Sequence, residues 1–282
     1  KTSKAKIFTA SQLLCISNCV AGCILQIINT KYGTNLPFTL IAIFYSFQIL
    51  LFVFPKTRPK ISFKQNITIV LIGMLDSLTN ICNTYSYGYS DVASIILLMS
   101  LVAPFTMISS YFLLKRKYNY QQICCAMTTC LCAILFTYLD KNNQYQSNNK
   151  LLGDLLAIGS AVGYAIIATV NEKFAVDIHP IAYTCKMALG GFVVSIIGVL
   201  SNDMKQYSVV PKDPFLLMIP YGVLMQLYYG LSIFLIQNLS ATSYNIITLC
   251  SNFYSFIAAI FIMKTSFQTN QIFPALGILI GV

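Results

Sequence analysis

Apolar residues run in ten stretches with short polar connections between them, at 8–29, 36–54, 66–87, 91–114, 120–139, 151–171, 181–201, 215–237, 241–263 and 270–282. About 20 apolar residues cross a bilayer as a helix, so the pattern predicts ten membrane spans. The last is cut short at Val282, and the chain opens at Lys1, so a piece of a longer protein is expected. Breakers mark several connections, among them Pro37, Pro55, Pro59, Pro180, Pro211 and Pro214. The most polar connection is 140–150, DKNNQYQSNNK, between the fifth and sixth runs.

The runs also repeat. Shifting residues 13–31 onto 155–173 superposes Leu13, Leu14, Ile16, Val20, Ile24, Asn29 and Lys31 on Leu155, Leu156, Ile158, Val162, Ile166, Asn171 and Lys173. Residues 94–105 match 245–256 through Ile95/Ile246, Ile96/Ile247, Ser100/Ser251 and Phe105/Phe256. The predicted fold is therefore an all-α membrane protein of ten transmembrane helices in a 5+5 repeat. Residues 1–139 form the first repeat, 140–150 the connecting loop and 151–282 the second. An odd number of spans per repeat turns the second copy upside down, which is an inverted repeat. Duplicated membrane units of this kind commonly hold a substrate site between their halves.

Composition agrees with a lipid setting. The chain is 57% hydrophobic and 9% charged, with a mean hydropathy of +0.71. Soluble domains carry about 25% charged residues. The net charge of +10 does not imply nucleic acid, because the basic residues sit in short loops and form no continuous face. Eleven Lys and Arg residues fall on one side, including Lys56, Arg58, Lys115, Arg116 and Lys117. Six fall on the other, among them Lys31, Lys141 and Lys205. That bias puts both termini in the cytosol. The ten cysteines lie almost wholly inside spans, so free thiols are expected. Cys15, Cys19 and Cys23 share one helical face, and close packing is preferred to a soft-metal path there, because Ala157, Ala161 and Ala165 take their places in the repeat.

Asp76 is the sharpest candidate for chemistry, as the only acid well inside a span. A carboxylate in lipid costs several kcal/mol and usually faces a wet cavity or a partner. Asn80, Asn83 and Thr84 continue a polar stripe on its helical face. Further polar positions expected to line a site are Cys23 and Gln26 in the first span, Ser100 in the fourth, Gln226 and Tyr229 in the eighth, and Thr248, Ser251 and Asn252 in the ninth. Ser90–Asp91 and Ser240–Thr242 can cap the fourth and ninth spans and leave helix N-termini that attract anions. Pro104 in the fourth span frees a backbone carbonyl and allows a kink. Lys186 is expected to snorkel, or else to neutralise an anionic substrate. His179 reads as a polar loop residue. The chain has no phosphate loop, HExxH pair or Ser/His/Asp constellation, so no enzyme, cofactor or metal is expected.

The segment GMLDSLTNICNTYSYGYSDVASIILLMSLVAPFTMISSYFLLKRKY (73–118) resembles the third and fourth spans of the chloroquine-resistance-transporter family, in the drug/metabolite transporter superfamily. The resemblance rests on Met74-Leu75-Asp76, on Pro104 and on the basic exit at Lys115–Tyr118. Ser240–Tyr244 and Ile16–Val20 resemble starts of its ninth and first spans. It implies a proton-coupled carrier that exports amino acids, short peptides and cationic amphiphilic drugs from an acidic compartment to the cytosol. It implies a vacuolar or lysosome-like membrane, or a plastid envelope. Asp76 would be the cavity carboxylate, and Cys23 matches a position that changes drug handling. The short 202–214 connection and Gln226, Tyr228 and Tyr229 in place of an acid depart from that pattern. The expected partners are protons, small cationic or zwitterionic solutes and the bilayer, with no nucleic acid, and the chain is expected to act as a monomer. A nucleotide-sugar or sugar-phosphate exchanger of the same superfamily is the second reading. A non-transporting membrane scaffold or receptor is the third.

Overall fold

The computed structural model describes residues 3–32, 36–51, 62–90, 92–140, 149–176, 178–207, 210 and 212–261. They are helical: α1 (Lys4–Tyr32), α2 (Pro37–Leu50), α3 (Phe63–Tyr89), α4 (Val92–Met99), α5 (Val102–Leu114), α6 (Tyr120–Asp140), α7 (Lys150–Phe174), α8 (Pro180–Ser201), α9 (Asp213–Asn238) and α10 (Ala241–Phe261). A 3-10 turn, Asp203–Gln206, follows α8. α1, α3, α7, α8 and α9 are long and apolar enough to cross a membrane, and α2 and α5 are shorter apolar helices. The tenth apolar run and most of the 140–150 connection lie outside the described residues.

Helix boundaries follow local chemistry. Pro37 and Pro180 open α2 and α8 at the first turn, where a missing N–H costs nothing. Gln65 Oε1 accepts the Ser62 N–H at 3.3 Å ahead of α3. The kink that Pro104 allows is not where the fourth run bends. The run breaks earlier, at Ser100–Leu101, and Pro104 falls in the first turn of α5. A proline there sits among N–H groups that have no intrahelical acceptor, so α5 starts afresh and stays regular.

The spans turn their polar residues inward and leave apolar ones on the outer surface. Leu71, Leu75 and Leu78 of α3 are exposed, as are Leu216, Ile219, Val223 and Leu227 of α9. Their spacing of three or four residues makes a continuous lipid-facing stripe. The opposite face of α3 buries Asp76, Ser77, Asn80 and Thr84. Water does not organise this arrangement, because apolar side chains gain nothing by leaving lipid. Close packing and interhelical hydrogen bonds hold the helices instead. α3 and α8 meet through glycine: a Cβ on Gly73 would lie 1.9 Å from the Met187 carbonyl oxygen, and one on Gly190 would lie 2.0 Å from that of Val70. No side chain fits at either point.

α1 packs on α9 and α10, while α7 packs on α3, α4 and α5. α2 packs on α8 and α9, and α8 also packs on α3. α5 and α10 touch each other. Between them these contacts leave a central space bounded mainly by α1, α3, α7, α9 and α10.

Candidate functional site

The central cavity holds about 190 Å³. Asp76 sits in its wall, 1% exposed. Tyr45 of α2 donates to Asp76 Oδ2 at 2.7 Å. Tyr229 of α9 donates to the same carboxylate, 3.0 Å from Oδ1 and 2.9 Å from Oδ2. Hydrogen bonds to a buried carboxylate are among the strong ones, and two phenols here replace the water it lost.

Asn80 lies one turn further along α3 and links the next shell. Its Nδ2 donates to the Asp76 carbonyl at 2.8 Å and to Tyr229 Oη at 2.8 Å. Its Oδ1 accepts from Tyr164 of α7 at 2.8 Å. One amide therefore ties α3 to α7 and α9 while it supports a phenol that holds Asp76. Across the cavity, Asn18 donates to Ser251 Oγ at 2.9 Å, which joins α1 to α10.

The lining includes six tyrosines: Tyr87, Tyr164, Tyr221, Tyr228, Tyr229 and Tyr244. It includes the amides Asn18, Gln26, Asn80, Asn83, Asn171 and Asn245, and a single carboxylate. Among the described lining residues there is no Lys, Arg or His. The described surface is therefore aromatic, amide-rich and without fixed positive charge. Such a surface suits neutral or cationic solutes that offer N–H donors and a flat or apolar face.

Interhelical bonds cluster toward one end of the cavity. Tyr228 and Tyr244 share a hydrogen bond of 2.8 Å. Beyond them, Glu172 at the end of α7 pairs with Arg116 and accepts the Ala241 N–H at 2.8 Å. Its carboxylate thus fills the N-terminal anion position of α10, where Ser240 Oγ also accepts the Ser243 N–H at 3.1 Å. Tyr118 and Thr242 are 2.9 Å apart alongside. The lining extends the other way, toward Gln26, Asn83, Tyr87 and Tyr221.

Most residues singled out from the sequence meet here. Asp76, Asn80, Asn83, Cys23, Gln26, Tyr229, Thr248 and Ser251 all line the cavity. Ser100 does not: it is fully buried at the break between α4 and α5. Gln226 is not among the lining residues either, and its Oε1 is buried without a hydrogen-bond partner. It lies three residues before Tyr229 on α9, off the wall that Met225 and Tyr229 present. Lys186 also falls outside the lining. The side chain of Asn252, and Asp91 as a whole, lie outside the described residues. The Ser90 hydroxyl donates to Asp154 Oδ1 at 2.6 Å. Tyr45 and Tyr164, which bond Asp76 and Asn80, are among the contributors that escape the sequence reading. The available signal is a phenol inside an apolar run, which needs a partner for its hydroxyl.

Comparison with known proteins places this architecture. A solved crystal structure superposes with a TM-score of 0.68 at 12% identity, covering 97% of this chain and 95% of that one, so the fold is shared. Solute carrier family 35 member F2 of Mus musculus is 23% identical over 98% of this chain and 77% of its own length. The protein of the same name in Xenopus tropicalis is 24% identical over 76% of this chain and 57% of its own. A plant protein named Probable purine permease 4, from Arabidopsis thaliana, is 23% identical over 56% of this chain and 42% of its own. None of these singles out the chloroquine-resistance-transporter family, and that resemblance holds at the level of the drug/metabolite transporter superfamily. The SLC35F family, described as solute carrier family 35, matches residues 5–282, and the chain belongs to it.

Proposed function

We propose that the chain is a secondary transporter of small neutral, zwitterionic or cationic organic solutes, with Asp76 as the group that holds the substrate's positive end or a proton. The observation that carries this is the carboxylate itself, buried in the wall of a central cavity and held by Tyr45 and Tyr229. A buried acid in a membrane bundle is a functional group by default. Membership in a solute carrier family supports transport, and the purine permease among the relatives extends the range of solutes worth testing to flat nitrogen heterocycles.

The proposed architecture is the ten-span inverted repeat. Exchanging α1 with α7, α2 with α8, α3 with α9 and α4–α5 with α10 turns several of the main helix contacts into one another. The α1–α9 contact becomes α7–α3, α1–α10 becomes α7–α5, and α2–α9 becomes α8–α3. Alternating access then follows from a rocking of one half against the other around the cavity. The end tied by Glu172, Arg116 and Tyr118 is the cytosolic one if both termini face the cytosol. Asn80 couples occupancy to this motion. A ligand or proton that draws Tyr229 away from Asp76 also disturbs the Asn80 bonds to α9 and α7. Export from an acidic compartment, an endomembrane location and action as a monomer remain part of the same proposal.

The nucleotide-sugar reading needs a fixed cation for phosphate. The described lining residues offer none, and Lys186 stands outside them. The test is uptake into proteoliposomes under an imposed pH gradient and membrane potential. The panel is a basic amino acid, a short peptide, a quinoline, a purine base and a nucleotide sugar. Gradient-driven uptake of one of the first four, abolished by Asp76→Asn, is expected. Full pH-dependent uptake by Asp76→Asn would sink the assigned role, and phosphate-dependent exchange would replace the substrate class.

A further inference from the structure

We propose that Cys19 and Cys23 form a two-thiol binding site in the cavity wall for thiophilic acceptors that take two sulfurs, trivalent arsenicals foremost. Residues four apart on a helix sit one turn above each other, with Cβ atoms about 5–6 Å apart. Here both side chains line the cavity. Neither is in a disulfide.

The third thiol of the ladder is different. Cys15 is 1% exposed, its Sγ donates to the Ile247 carbonyl at 3.3 Å, and it does not line the cavity. Cys124 and Cys125 are exposed on α6, but adjacent helical residues diverge by about 100° and do not face each other. Cys19 and Cys23 are therefore the two cysteines among the described residues that meet at the cavity wall.

The chemistry closes without a redox partner. Phenylarsine oxide forms two As–S bonds, the As=O bond and two S–H bonds break, and the oxygen leaves with both protons as water. Arsenic stays trivalent. Soft sulfur favours such an acceptor, and the chelate keeps one bond in place while the other exchanges. The bound group would occupy the cavity beside Asn18 and Tyr87.

The test needs no transport assay, so it stands whether or not the transport reading does. The full chain in detergent is treated with one equivalent of phenylarsine oxide and read by intact-mass spectrometry with peptide mapping. One bridge spanning residues 19–23 is expected. It should resist excess 2-mercaptoethanol and be removed by 2,3-dimercaptopropanol. Cys19→Ala or Cys23→Ala, each copying the residue of the other repeat, should weaken binding by about tenfold or more, and Cys15→Ala should not. An adduct that maps to Cys124 and Cys125, or that survives in the Cys19→Ala/Cys23→Ala protein, would overturn the assignment.

Discussion

Removing the Tyr229 hydroxyl should cost more than removing any other single hydroxyl in the bundle. In Tyr229→Phe the Asp76 carboxylate loses a donor that reaches both its oxygens, and Asn80 Nδ2 loses an acceptor. A hydrogen bond to a charged group contributes about 1.5–3 kcal/mol, and a neutral one about 1 kcal/mol. Asn80 Nδ2 keeps the Asp76 carbonyl, so its loss is partial. The expected destabilisation is about 2–3 kcal/mol. Tyr45→Phe leaves Tyr229 in place and touches only Oδ2, so about 1.5–2 kcal/mol is expected. The assay is reversible denaturant unfolding in detergent micelles, run as a double-mutant cycle with Asp76→Ala. Partners in direct contact couple by roughly 0.5–3 kcal/mol, and this pair should lie above about 1.5 kcal/mol. A Tyr229–Asp76 coupling below about 0.5 kcal/mol would show that the phenol does not hold the carboxylate, and the assignment of Asp76 as a held, chargeable group would fall with it.

Four further outcomes follow from the same geometry. Gly190→Val drives a branched side chain into the Val70 backbone and should cost well over about 1–3 kcal/mol, seen as loss of monodisperse protein, whereas Gly159→Ala, which meets nothing within 4 Å, should be silent. Glu172→Gln removes a partly exposed ion pair and the carboxylate at the α10 N-terminus; about 1 kcal/mol or less of stability is expected, shrinking further at high salt, and a near-equal loss at all salt concentrations would argue against the ionic part. Asp203 accepts the Thr39 N–H and hydroxyl at 2.7 Å each and so closes the first turn of α2, and Thr39→Ala should therefore cost about 1 kcal/mol in thermal unfolding. Burial pushes the Asp203 carboxyl above its ordinary range, with the Thr39 bonds acting against it, so the folded state holds that proton more tightly than the unfolded one. Its contribution is fully present below the unfolded carboxylate range and lost as pH rises through the folded value, so Asp203→Asn should flatten the acid-side stability profile, and an unchanged slope would contradict this.

The helices are legible in the sequence because a membrane span announces itself by length and composition alone. Runs predicted at 8–29, 66–87, 151–171, 181–201 and 215–237 correspond to α1, α3, α7, α8 and α9, with ends shifted by a few residues where charged or capping residues extend a helix past the apolar core. The fourth run shows what hydropathy misses. Nothing in the apolar pattern of 91–114 marks Ser100–Leu101 as a break, because a break between two short apolar helices changes hydrogen bonding and leaves hydropathy untouched. Pro104 carries the right information at the wrong place: proline favours a first turn, so the break belongs a few residues before it.

The site is legible wherever a polar residue is too costly to leave in lipid, and obscure wherever the residue type is at home there. Asp76, Asn80 and Asn83 could not face the acyl chains, so their helical face had to point inward. Tyrosine carries no such constraint. A ring packs against lipid or against a core equally well, and membrane interfaces are rich in it. Nothing along the chain separates Tyr45, which is fully buried on Asp76, from Tyr111, which is 57% exposed on α5. Only the fold makes that distinction, because the acceptor that justifies a buried phenol comes from another helix. The same reasoning covers the two residues that fall outside the cavity lining. Ser100 and Gln226 are polar enough to be noticed, but Ser100 is buried in the break between α4 and α5, and a long amide can turn away from the cavity while its helix still lines it. Polarity in a span therefore identifies the face that avoids lipid; which of those groups meet a solute is decided by the partners the neighbouring helices bring.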